Sequence, residues 1–186
     1  MRWLNIAPSD ANRIYVLASI KYYDQGILLR SADGGNSWEV SGSTMDGEGV
    51  CLAVDPHDPD LLYLGSWHGA WYGGMYRSTD GGSTWQTITT GLPATSGVFR
   101  SIAIDPTDPQ RIYAGMNGQV FGSNNGGGRW HQIGNTLTTV EAHDLLRIAV
   151  DPTDPDNLYA AVWGEGVYKL ERSLGYDVHL PVVVRE

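Results

Sequence analysis

Short apolar runs recur along the chain, each closed by a cluster of turn-forming residues. Val50-Cys51-Leu52-Ala53-Val54 and Ser101-Ile102-Ala103-Ile104 are the clearest. Uninterrupted runs of this length, rich in β-branched residues, fit strands buried on both faces. Each leads into an Asp-Pro-x-Asp-Pro turn, at Asp55–Pro59, Asp105–Pro109 and Asp151–Pro155. Proline presets φ for such a turn, and aspartate bonds nearby backbone amides. A second strand follows, carrying the pair Leu62-Tyr63, Ile112-Tyr113 or Leu158-Tyr159. The stretch Ile6-Ala7-Pro8-Ser9-Asp10, then Ile14-Tyr15, is a worn first copy. A third strand reads Gly74-Met75-Tyr76-Arg77 or Gly166-Val167-Tyr168-Lys169, and a tryptophan opens the fourth, as in Trp85-Gln86-Thr87-Ile88. No stretch has the period of an amphipathic helix; Thr138 to Leu146 has room for a turn or two.

The link between third and fourth strands is itself repeated. Ser78-Thr79-Asp80-Gly81-Gly82-Ser83-Thr84-Trp85 recurs as Ser31-Ala32-Asp33-Gly34-Gly35-Asn36-Ser37-Trp38 and, more loosely, as Ser123-Asn124-Asn125-Gly126-Gly127-Gly128-Arg129-Trp130. The three tryptophans are 47 and 45 positions apart. A period of that size marks a repeat architecture. Four units result, at about 1–48, 49–98, 99–144 and 145–186, and together they form one domain. The fourth lacks the turn motif: Val167-Tyr168-Lys169-Leu170 runs into Glu171-Arg172-Ser173 instead, and its last strand is expected between Asp177 and Val184. Proline at 181 restricts that segment to a strand edge or start.

Ser-x-Asp-x-Gly-x-Thr-Trp resembles the Asp box, or bacterial neuraminidase repeat. Ser78 to Trp85 matches at every defined position; Ser31 to Trp38 departs at Ser37; Ser123 to Trp130 departs at Asn125 and Arg129. With the Asp-Pro turns the resemblance covers nearly the whole chain. Its wording is similar to xyloglucanase-like and sortilin-like proteins and to bacterial repeat proteins. The resemblance implies an all-β fold: a β-propeller of about four four-stranded blades, either an incomplete ring or one completed by oligomerisation. A propeller protects its edges by closing the ring. The box residues Ser31, Asp33, Gly35, Trp38, Ser78, Asp80, Gly82, Trp85, Ser123, Asn125, Gly127 and Trp130 are expected to be structural. Serine and aspartate bond the turn's own backbone, glycines take positive φ, and tryptophan packs between sheets.

Composition narrows the function. Twenty-four glycines suit a turn-rich β protein, and a net charge of −9 argues against nucleic acid and anionic membranes as partners. The one cysteine, Cys51, lies in an apolar run and reads as a small buried hydrophobe. Histidines 57, 68, 131, 143 and 179 show no metal-ligand spacing, the glycine runs are not phosphate loops, and no metal or cofactor is expected. Asp55, Asp58 and Asp60 cluster, but turn chemistry accounts for them. The first residues lack a signal-peptide core, and nothing is apolar enough to insert in a membrane.

In the resembled topology, ligands bind at the blade end opposite the Asp boxes. The loops expected there carry Tyr22, Tyr23, Trp67, Trp71, Tyr72 and Trp163, which are candidates for stacking on sugar rings, and Arg100 lies near the ring's mouth. Asp24, Asp46, Glu48, Glu141, Asp144 and Glu165 are the carboxylates from which an acid/base pair for glycoside hydrolysis would be drawn. No catalytic residue is singled out. Arg2, Arg100 and Arg147 stand at unequal offsets from their turns, which argues against the arginine cluster of a sialidase. The reading is a non-catalytic propeller, a binding or assembly module with a protein or polysaccharide partner. The resemblance places it outside the cell or on its surface. The alternative is a glycoside hydrolase of the xyloglucanase type, or a fragment of one. A further alternative is a structural subunit, a homo-oligomer or larger assembly joined through its edge blades.

Overall fold

The computed structural model describes residues 3–20, 25–41, 48–68, 72–93, 97–134, 137, 145–162, 166–171 and 179–182. They form sixteen strands and, among the described residues, no helix. The first sheet holds β1 (Trp3–Ala7), β2 (Asp10–Ile20), β3 (Gln25–Ser31) and β4 (Glu39–Ser41). The second holds β5 (Glu48–Val54), β6 (Leu62–His68), β7 (Tyr72–Ser78) and β8 (Gln86–Thr87). The third holds β9 (Phe99–Ile104), β10 (Ile112–Met116), β11 (Gln119–Ser123) and β12 (His131–Ile133). The fourth holds β13 (Leu145–Val150), β14 (Asn157–Val162), β15 (Gly166–Glu171) and β16 (His179–Val182). Each sheet is an antiparallel meander in chain order. Pro181 sits on the edge strand β16, a position where proline is tolerated.

The turns work as their residues dictate. Asp55 Oδ1 accepts the His57 and Asp58 amides at 2.8 and 3.0 Å, and Asp105 and Asp151 repeat the arrangement. In the glycine-rich turn, Ser78 Oγ accepts the Gly82 amide at 2.8 Å and donates to Asp80 Oδ1 at 2.7 Å. Asp80 in turn accepts the Thr84 amide and hydroxyl at 2.8 and 2.6 Å. Ser31 with Asp33, and Ser123 with Asn125, build the same clamp. The two turn types of one sheet are tied together: the Gly34, Gly81 and Gly126 amides donate to the carbonyls of Asn12, Asp60 and Gln110.

Consecutive sheets pack face to face, which divides the core into three clusters. Tyr15, Leu17 and Leu28 of the first sheet meet Leu52, Leu62 and Leu64 of the second. Tyr63, Met75 and Ile88 of the second meet Ile112, Phe121 and Trp130 of the third. Tyr113, Val120 and Ile133 meet Ile148, Leu158 and Ala160 of the fourth. No comparable packing joins the first sheet to the fourth among the described residues. Burial of the first strands on both faces therefore fails at both ends of the series. Leu4 and Ile6 of β1 are exposed, and so is Ala149 of β13, because among the described residues no sheet packs over them.

Candidate functional site

The blades have a turn end, held by the clamps above, and a loop end. At the loop end the described framework is built by close backbone approach. A Cβ on Gly73 of β7 would lie 2.2 Å from the Gly97 carbonyl oxygen, and one on Gly65 of β6 would lie 2.7 Å from Cys51 Sγ and 2.8 Å from Phe99 Cβ. Only glycine lets the segment Gly97–Phe99 lie this tightly against the second sheet. Cys51 Sγ donates to the Phe99 carbonyl at 3.2 Å. Phe99 is buried in the core between the second and third sheets. The next turn round, Asn117 adopts φ 50° and Gly118 φ 69°, and the Gly118 carbonyl accepts the Leu137 amide at 2.7 Å.

Trp67 is the sequence-predicted aromatic that falls within this framework. It lies on β6, half-buried, paired with Gly73 on one side and Glu48 on the other. Tyr72 opens β7 opposite His68, described through its backbone. Tyr22, Tyr23, Trp71 and Trp163 lie outside the described residues, as do Asp24, Asp46, Glu141, Asp144 and Glu165. Glu48 is placed by its backbone in β5.

Arg100 occupies a position that its sequence did not reveal. Phe99 pairs with Met116 and Ser101 with Gly115, so Arg100 is the unpaired residue of a β-bulge. Val50 and Leu146 are bulged in the same way in the second and fourth sheets. A bulge re-aims the side chain it carries, and bulges recur beside ligand sites. The half-buried Arg100 is thus set apart from the alternation of β9. Arg147 does something different. Its guanidinium stacks on the Trp3 ring, 3.8 Å from the centroid, bridging the first strands of the fourth and first sheets. The Trp3 indole N–H donates to the Val50 carbonyl. Trp3 was no candidate from the sequence, although it stands at the same offset from its turn as Cys51, Ser101 and Arg147.

Electrostatics separates the two ends of the blades. Burial pushes the Cys51 thiol up to about 12, so it is no nucleophile at neutral pH. Bonds from Ser37 hold Asp33 down to about 2, and bonds from Thr84 do the same for Asp80. Both carboxylates spend their acceptor capacity inside their own turns. Among the described residues, no group of three acidic, histidine or cysteine side chains has the arrangement of a metal site.

Four sheets, each a four-stranded meander packed on the next, match known structures. The Niastella koreensis GH74 enzyme superposes with a TM-score of 0.71, at 25% identity, over 95% of this chain and 29% of that one. An ancestral GH74 enzyme gives 0.70 at 23% identity, over 90% of this chain and 22% of that one. The fold is a β-propeller. In sequence, a xyloglucanase from Acetivibrio thermocellus is 32% identical over 160 residues, covering 68% of this chain and 19% of the enzyme. A xyloglucanase from Hypocrea jecorina is 27% identical over 165 residues, with the same coverage. The chain therefore spans about a fifth of the length of these curated relatives. No protein-family model matches it. YCF48, solved bound to D1 peptide, shares the fold with a TM-score of 0.57 at 18% identity over 91% of this chain and 50% of that one.

Proposed function

We propose that this chain is a four-blade part of a xyloglucanase-like glycoside hydrolase, contributing polysaccharide-binding surface at its loop end. The observation that carries this reading is the 32% identity to a xyloglucanase, supported by the likeness to GH74 propellers. The loop-end framework fits the role. The half-buried indole of Trp67 is fixed on a strand beside the Gly73–Gly97 contact, so it offers an apolar face at little entropic cost. Tyr72, Trp71, Tyr22, Tyr23 and Trp163 belong to the same proposed surface, and Arg100 on its bulge supplies charged hydrogen-bond donors to hydroxyls. A branched, neutral glucan suits a protein of net charge −9, since it brings no phosphate or carboxylate to repel. Secretion follows from the substrate, an extracellular polymer.

A second reading rests on one observation. The chain covers only 19% of the xyloglucanase it resembles, and hydrolysis needs two carboxylates flanking one bond. Binding by the 186-residue chain is therefore expected without turnover, with catalysis a property of the larger enzyme. Affinity electrophoresis in gels containing xyloglucan tests both. Retardation that Trp67→Ala abolishes supports the binding surface, and no release of reducing sugar is expected. Migration unaffected by xyloglucan contradicts the proposal, and release of reducing sugar by this chain alone contradicts the division of labour.

A further inference from the structure

The bulge in β9 is held from two neighbouring sheets at once. Strict alternation would put Phe99 and Ser101 on one face of the strand. With Arg100 as the extra residue they face apart. Phe99 lies in the core shared with the second sheet, and Ser101 Oγ accepts the Ile148 amide of the fourth at 2.9 Å. The second sheet grips the Phe99 side closely. A Cβ on Gly65 would lie 2.8 Å from Phe99 Cβ and 2.9 Å from its carbonyl oxygen, so only a glycine admits the approach. The Cys51 thiol donates to that same carbonyl at 3.2 Å. A bulge interrupts its own ladder, and here a donor comes from the neighbouring sheet.

The Phe99 carbonyl and the Arg100 amide belong to one planar peptide group. Fixing the carbonyl therefore fixes the plane from which the Arg100 side chain departs. The second sheet has a similar frame: its bulged residue is Val50, whose carbonyl accepts the Trp3 indole N–H, and a Cβ on Gly49 would strike Leu17 of the first sheet. In the fourth sheet the bulged residue is Leu146. Of Val50, Arg100 and Leu146, Arg100 is the one that carries charge. Its charge is also uncommitted. The half-buried Arg13, Arg30 and Arg111 meet carboxylates at 3.3, 2.5 and 2.9 Å. Among the described residues, Arg100 forms no such pair.

We infer that Cys51 is a positioning residue for Arg100: across a blade joint it holds the guanidinium that receives a pair of hydroxyl oxygens from a neutral sugar. The thiol is buried beside Gly65 and Phe99, so it acts through the peptide it bonds and not by touching a ligand. A guanidinium presents its N–H groups in a rigid fork, and a small rotation at its origin spoils the match to two oxygens. Serine stands at the same offset in the third sheet, at 101, and it too reaches the first strand of the following sheet. The sugar assignment rests on the polysaccharide reading; the hold of Cys51 on the Arg100 peptide does not.

The parent chain tests the first step without any substitution. Cys51 is its only cysteine, so the Raman spectrum holds a single S–H stretching band. That band should lie at the lowered frequency of a thiol that donates to a carbonyl, and a band at the free-thiol frequency overturns the inference. Variants test the second step, with near-UV circular dichroism to check their fold. In amide NMR spectra, Cys51→Ala should move the Arg100 signal and Cys51→Ser, which keeps a donor, should bring it back; an Arg100 signal indifferent to Cys51→Ala overturns the inference. Calorimetry with a xyloglucan oligosaccharide tests the third. Arg100→Ala should weaken binding about tenfold, the scale of one hydrogen bond to a charged group. Cys51→Ala should weaken it comparably and Cys51→Ser should recover it. The double variant Cys51→Ala with Arg100→Ala should bind no worse than Arg100→Ala alone, whereas additive losses would show that Cys51 does not act through Arg100. A parent chain that ignores the oligosaccharide overturns the sugar assignment and the polysaccharide reading together, and the Raman band and the Arg100 signal then decide separately whether Cys51 holds the peptide.

Discussion

The residues that repeat most visibly serve the turns. Asp33 and Asp80 sit beside tryptophan in a repeated acidic motif, the sort of pattern that suggests an acidic site, yet their oxygens are used by Ser31, Ser37, Ser78 and Thr84. This has a consequence for pH. A carboxylate held near 2 in the folded chain, against about 3.9 when unfolded, stabilises the turn above the unfolded value. That contribution is lost as pH falls from about 4 through about 2. Carboxyl-carbon NMR should show Asp33 and Asp80 titrating near 2, with Thr84→Val returning Asp80 toward the ordinary range. Titration of Asp80 near the ordinary value in the parent chain would show that the Thr84 bonds are not made in solution. Tyr15 and Tyr63 move the other way: burial raises both to about 12. Their neutral forms favour the fold up to about pH 10, and this contribution is lost between 10 and 12.

Strands and turns were largely legible in the sequence, and the bulges and joints were not. Short apolar runs, the Asp-Pro turns and the Trp spacing placed four sheets because each depends on local chemistry. The bulge at Arg100 depends on how β9 pairs with Met116 and Gly115, a register that no local pattern encodes. Trp3 and Arg147 are 144 residues apart and meet only through the curvature of the whole series. The first strands were expected to be buried throughout, but β1 is half-exposed because burial there depends on a neighbour. A comparison of two glycines isolates that neighbour. Gly35 and Gly82 share a left-handed φ, 92° and 86°, so alanine costs each about 1–2 kcal/mol in backbone strain. Gly82 alone abuts another sheet, and overpacking adds about 1–3 kcal/mol. Urea unfolding should therefore show Gly82→Ala as the more destabilising by that margin. Equal losses would mean that the joint yields freely.

At the scale of the molecule, the propeller's two ends differ in character. The turn end is a series of clamps that close the turns of each blade. The loop end carries Trp67 and the Arg100 bulge, and the candidate residues there were harder to read because strand pattern does not encode how neighbouring sheets approach. Trp67 and Arg100 are placed on the framework, while Tyr22, Tyr23, Trp71 and Trp163 lie outside the described residues. Carbohydrate binding at that rim is the central claim, and amide chemical-shift mapping with a xyloglucan oligosaccharide tests it most directly. Perturbations should concentrate at Trp67, Gly73, Gly97 to Arg100 and Asn117-Gly118, leaving the turns at Asp33–Gly35 and Asp80–Gly82 unmoved. Shifts confined to those turns, or no shifts at saturating oligosaccharide, would contradict it.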